Sequence, residues 1–192
     1  MILQSHNSWS YLRPRNLWLK PFAFMAKCQK YDIKTQYKEY GVRCFDLRIR
    51  FNDDGKLIIA HGIFEYDYSK KQLYADLKWL NDKGDCFVRV LHEARTKKQY
   101  SSISKECFQY QCEFLVNNFP DIKFYYGKNL YDYKVDFVFE NAYTEEEKHA
   151  SVCKPRIIDD IWPWIYSKLN NKSILQNGTN CDMLSIDFVN IR

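Results

Sequence analysis

The chain carries four histidines, and imidazole is the side chain that changes charge near neutral pH. His6 ends a short apolar run, Met1-Ile2-Leu3-Gln4-Ser5, and His61 ends another, Leu57-Ile58-Ile59-Ala60, with Gly62 behind it. His92 stands beside Glu93 at the end of a third apolar run, and His149 sits in a charged stretch that reads as surface. By residue type alone His6 reads more readily as a core or loop histidine than as a catalytic one, and His61 is no more specific. Asp46 and Arg48 are two residues apart on a strand-like segment, so period two puts them on one face, as a structural salt bridge or as part of a site. Neighbours on a strand point to opposite faces, so of His92 and Glu93 only Glu93 is expected to enter a shared site.

These residues sit on an alternation of strands and helices. Residues 42–51 alternate apolar with charged and read as a strand; Asn52-Asp53-Asp54-Gly55 is a turn, and 57–60 returns to deliver His61. Residues 31–40 form a helix that Gly41 stops, 69–80 a helix with Leu73, Leu77 and Leu80 on one face, and 104–118 another amphipathic helix. Segments 86–91, 122–126, 135–140 and 183–189 read as strands, the last containing Asp187, and 155–169 as a helix interrupted by Pro163. His6, Glu93, Glu140 and Asp187 fall at strand C-termini, where α/β barrels place catalysis. Such barrels take about 250 residues. At 192 residues, with no repeat or linker, the chain is expected to be one domain (1–192), an α/β fold of trimmed or distorted (β/α)8 type.

Composition narrows the partners. A net charge of +5, interspersed and without a basic run, argues against nucleic acid and suits an anionic partner. Seven cysteines without a CxxC pair suggest neither a disulfide framework nor a zinc motif; they read as small buried hydrophobes in a reducing compartment. No signal peptide or transmembrane segment is legible, so the expectation is a cytoplasmic or unconventionally exported protein, such as a phage or effector product. Leu17-Trp18-Leu19-Lys20-Pro21-Phe22 and Ile161-Trp162-Pro163-Trp164-Ile165-Tyr166 are either core segments or a surface for the membrane interface.

Three pieces together resemble the X domain of phosphatidylinositol-specific phospholipase C: Ser5-His6-Asn7-Ser8, then Gly41-Val42-Arg43-Cys44-Phe45-Asp46-Leu47-Arg48, then Asp54-Gly55-Lys56-Leu57-Ile58-Ile59-Ala60-His61-Gly62. The resemblance covers residues 1–93, with a weaker match at Ser185-Ile186-Asp187-Phe188-Val189. It implies intramolecular attack of an inositol 2-hydroxyl on phosphorus in a phosphoinositide-type lipid. His6 would be the general base and His61 the general acid for the leaving oxygen. Arg48 would neutralise the phosphate, Asp187 would orient His6, and Asp46 would fix the Arg48 and His61 side; Asn7 and Glu93 would contact substrate. Related barrel phosphodiesterases, of the glycerophosphodiester or sphingomyelinase D kind, and a binding module that kept the pocket with weak catalysis are the alternatives.

Two positions depart from the family patterns. Metal-independent members carry Asp where this chain has Asn7, while calcium-dependent members carry Asn there and acidic ligands at the positions of Asp46, Arg48 and Glu93. A guanidinium at Arg48 stands where the cation would be, so the expectation is a metal-free mechanism, with Ca2+ held by Asn7, Asp46 and Glu93 as the alternative.

Overall fold

The computed structural model describes residues 2–93, 102–126, 139–141, 162–177 and 183–191. Strand β2 (Cys44–Phe51) organises the molecule, and its alternation explains how. Phe45, Leu47, Ile49 and Phe51 join the main apolar cluster, which leaves Cys44, Asp46, Arg48 and Arg50 on the opposite face. The same parity holds in β1 (Ile2–Ser5), β5 (Phe87–His92) and β8 (Met183–Ile186). Leu3, Val88, Val90, Leu184 and Ile186 face the main core, whereas Ile2, Phe87 and Met183 pack with Cys44 and Tyr125 in a second cluster on the inner face. Beyond that inner apolar layer, toward the strand C-termini, the inner face turns polar.

Helices cover the outer face. In α1 (Ile33–Tyr40) the Asp32 side chain accepts from Thr35 N, and Gly41 ends the helix in the left-handed region at φ 68°. Ser69 and Gln72 form a capping box on α2 (Lys70–Asn81), which buries Leu73, Leu77 and Leu80. Truncating any of the three to alanine would cost about 2–5 kcal/mol. In α3 (Ser102–Asn118) Phe108, Cys112 and Leu115 are buried. Helix α4 (Pro163–Asn177) corrects an expectation: Pro163 does not interrupt a helix but opens one. Proline is well placed there because the first turn needs no N–H partner. Residues 155–161 of the expected helix lie outside the described residues, as do most of the strand expected over 135–140, and His149.

With β6 (Lys123–Tyr126) and β7 (Phe139–Asn141), the sheet runs β6-β5-β2-β1-β8-β7, all neighbours parallel. Strands β3 (Leu57–His61) and β4 (Phe64–Glu65) extend it as an antiparallel meander. The fold is therefore α/β with a parallel sheet. Among the described residues the end strands β6 and β7 do not pair with each other, so the sheet is open there. No helix among the described residues is long and apolar enough to cross a membrane. Cys28, Cys44, Cys86 and Cys112 are buried and Cys107 is partly buried, none of them in a disulfide; Cys153 and Cys181 lie outside the described residues.

One topological detail sets up the site. Phe45 pairs with Val88 on one edge of β2 and with Ser5 on the other; Ile49 pairs with His92 and, on the opposite edge, with Ile59. Strands β1 and β3 thus share one edge of β2 and run toward each other. Their ends, His6 and His61, meet.

Candidate active site

His6 leaves β1 on the inner face and is held at its backbone. His6 N donates to Ile186 O at 2.9 Å, and the buried Gln29 amide donates to both His6 O and Ile186 O at 3.1 and 3.0 Å. Asp187, expected inside the last strand, falls one residue beyond β8, and its carbonyl accepts from Asn171 Nδ2 at 2.8 Å. The residues after His6 and Asp187, Asn7 and Phe188, have φ of 44° and 46°, a region side chains other than glycine seldom enter. That backbone strain marks both turns as functional candidates.

The side chains then settle the histidine's tautomer. Arg48 Nη2 is in direct contact with His6 Nε2, and a guanidinium only donates, so Nε2 carries the lone pair. The proton is on Nδ1, which donates to Asp187 Oδ1 at 2.7 Å. An imidazole with its lone pair at Nε2 and a carboxylate behind Nδ1 can accept a proton once the guanidinium turns away.

Arg48 is the hub. Its Nε donates to Asp46 Oδ2 at 2.9 Å, and Nη1 lies 3.5 Å from Glu93 Oε2. Burial acts against the charged carboxylate of Asp46, but Arg48, Arg89, His6 and the Asn7 N–H together outweigh it and hold the group well below the usual carboxylate range. Asp46, expected to serve the Arg48 and His61 side, does hold Arg48; it also accepts from Asn7 N at 2.9 Å and lies 4.0 Å from His6 Nε2. This arrangement does not suit calcium, which takes six to eight oxygens. The Arg48 guanidinium bridges Asp46 and Glu93, and Asn7 is fully buried with its backbone, not its amide, turned to Asp46.

His61 is placed by the turn behind it. Gly62, at φ 62°, donates its N–H to Glu93 Oε1 at 2.7 Å and accepts at its carbonyl from Arg50 Nη1 at 2.8 Å. A side chain at that φ would strain the turn. The rings of His6 and His61 are 6.2 Å apart, edge to face. His61 Nδ1 donates to Ala26 O at 3.1 Å, which leaves Nε2 for solvent or substrate. Burial, then the nearby charge of Arg48, lower its pKa to about 4, so the ring is neutral at pH 7.

His6, Arg48, Asp46, Glu93, His61 and Asp187 thus converge at the strand C-termini, while Asn7 packs inward. His92 points outward, stacking on Phe108 and bonding Ser104 Oγ at 2.9 Å. Sequence reasoning missed Arg89, whose Nε is 4.0 Å from Asp46 Oδ1 and which β5 places directly beside it. A lone arginine in the apolar run 86–91 was the available signal. It also missed Gln29, and Cys28, whose sulfur lies with a His6 ring nitrogen and an Asp187 oxygen, all within 4.8 Å of one another. A separate cavity of about 560 Å3, lined by Tyr66, Tyr68, Cys107 and Tyr110 among others, includes none of the convergent residues.

No family model and no curated protein matches the sequence. Solved structures do match in fold. A phosphatidylinositol-specific phospholipase C from Listeria monocytogenes aligns at 15% identity and TM-score 0.56, over 97% of this chain and 87% of that one. A mutant of the Staphylococcus aureus enzyme aligns at 15% identity and TM-score 0.64, over 97% and 84%. Another structure of the S. aureus enzyme, described for its membrane binding, aligns at 15% identity and TM-score 0.60, over 97% and 85%.

Proposed function

We propose that this chain is a metal-independent phosphodiesterase of the phospholipase C kind, acting on an inositol-type phospholipid, and that its sheet is a trimmed, distorted barrel. The observation that carries the reading is the pair of imidazoles 6.2 Å apart, one of them in contact with Arg48 and backed by a carboxylate. The fold likeness supports the same class.

Substrate phosphate takes over the guanidinium of Arg48, which frees His6 Nε2. That nitrogen removes the proton of the inositol 2-hydroxyl as its oxygen attacks phosphorus. Asp187 stabilises the imidazolium that forms, and Arg48 neutralises charge growing on the phosphoryl oxygens. The bond to the diacylglycerol oxygen breaks as His61 protonates it, giving a cyclic phosphate. His61 starts neutral, with Nδ1–H on Ala26 O, and must first take up a proton at Nε2. The anionic phosphate between the rings favours that proton by offsetting Arg48.

An apolar segment leads into the site at Ala26. In the 3-10 helix Leu17–Met25, Trp18 is 86% exposed and Leu17, Phe22 and Phe24 are also exposed; Trp162 packs 5.0 Å from Phe24. The segment ends at Ala26, whose carbonyl holds His61. Aromatics at this place suit docking at a bilayer interface beside the site.

Incubating the protein with phosphatidylinositol vesicles and following phosphorus by NMR tests the reading. Inositol cyclic phosphate should accumulate at an unchanged rate with chelator present. A strict calcium requirement would overturn the metal-free step, and absence of any phosphodiester cleavage would overturn the function.

A further inference from the structure

We propose that His6, Cys28 and Asp187 form an inhibitory site for a thiophilic divalent cation, zinc in particular. Cys28 has no part in the reaction above, yet its sulfur lies against the pair that prepares the base. One ligand atom from each residue, an imidazole nitrogen, a thiol sulfur and a carboxylate oxygen, lies within 4.8 Å of the others. This mixed set is the donor chemistry of zinc and not of calcium or magnesium, which take oxygen. The three backbones are fixed independently of any metal. Cys28 N donates to Ser10 Oγ at 2.9 Å, Cys28 O accepts from Phe188 N at 2.6 Å, and Gln29 clamps the carbonyls of His6 and Ile186.

Geometry and charge both suit a cation. Zinc bonds of about 2.0–2.3 Å in a tetrahedron require donors roughly 3.3–3.8 Å apart. His6 Nδ1 and Asp187 Oδ1, now 2.7 Å apart, would open, and no pair would need to close by more than about 1 Å. The surroundings hold the carboxylates of Asp46, Glu93 and Asp187 against the guanidiniums of Arg48 and Arg89, an excess of one negative charge. Zinc entering with loss of the Cys28 proton would bring the group to neutrality. Entry is past His6, whose side chain is 12% exposed.

The inhibitory half rests on His6 being the base. A neutral imidazole bound to metal through Nδ1 carries its proton on Nε2. The lone pair that would accept the 2-hydroxyl proton is gone, and Arg48 then faces an N–H. Zinc would therefore switch the base off by taking His6 and its partner Asp187 together, leaving Arg48, Asp46 and His61 in place.

Cobalt(II) tests the site without substrate, so this arm is independent of the enzyme assignment. One equivalent should give a thiolate-to-metal charge-transfer band in the near ultraviolet, bleached by zinc and absent in Cys28→Ser. In the activity arm, zinc should inhibit the unaltered protein and act at least about tenfold more weakly on Cys28→Ser. Without zinc the two should turn over equally. Cys28→Ala serves in the same way if circular dichroism shows the serine variant misfolded. A charge-transfer band of equal strength in the variants, or none in the unaltered protein, would overturn the site. Equal zinc inhibition of all forms would overturn its role.

Discussion

Asp187→Asn isolates the orientation of the base from its presence. In the folded protein the Asp187 carboxylate is buried and accepts a short hydrogen bond, 2.7 Å, from His6 Nδ1. A hydrogen bond to a charged group contributes about 1.5–3 kcal/mol. At 1.36 kcal/mol per tenfold, its loss in the transition state, where the ring becomes cationic, should lower kcat about 10–10²-fold. The amide is nearly isosteric, and the Asp187 backbone stays fixed by Asn171, so stability and KM should change little. His6→Ala removes the proton acceptor itself and should cost more, about 10²–10⁴-fold. The assay is steady-state turnover of a soluble short-chain substrate beside a thermal melt. Unchanged kcat in Asp187→Asn would refute the orienting role. A loss equal to that of His6→Ala with a lowered melting point would mean that Asp187 acts through the fold.

Two further outcomes follow from the same geometry. His61 titrates near 6.5 when unfolded and is lowered to about 4 when folded, so the unfolded chain binds more protons between those values; stability is intact above pH 6.5 and falls as pH drops toward 4, by on the order of 3 kcal/mol. His61→Gln should flatten that slope in urea melts at pH 4.5 and 7, and an unchanged slope would place the titration elsewhere. Trp18→Ala should weaken sedimentation with anionic vesicles and slow turnover of vesicle substrate while sparing a soluble one; equal loss on both substrates would refute the docking rim.

The legible part of the molecule was the part written in short periods. In β2, Phe45, Leu47, Ile49 and Phe51 alternate with Asp46, Arg48 and Arg50, so strand, inner face and the Asp46–Arg48 pair could all be read from one segment. The same parity separated Glu93, which faces Arg48, from His92, which stacks on Phe108. Contacts made across long sequence distances were not legible. Cys28 and Gln29 sit in an irregular stretch with no period, and only closure of β8 against β1 brings them to His6. Pro163 was read as a break because its sequence neighbours do not say on which side the helix lies. The depressed pKa of His61 depends on burial and on a neighbour brought by another strand, Arg48, and no local pattern carries that.

The division of labour between the two histidines is the central claim, and leaving-group dependence tests it most directly. A phosphodiester whose leaving oxygen is an acidic phenol departs without protonation. Turnover of that substrate by His61→Ala should approach that of the unaltered protein, whereas His6→Ala should stay slow, since the attacking hydroxyl still has to lose its proton. Equal rescue of both variants, or rescue of His6→Ala alone, would contradict the assignment of His6 as base and His61 as acid.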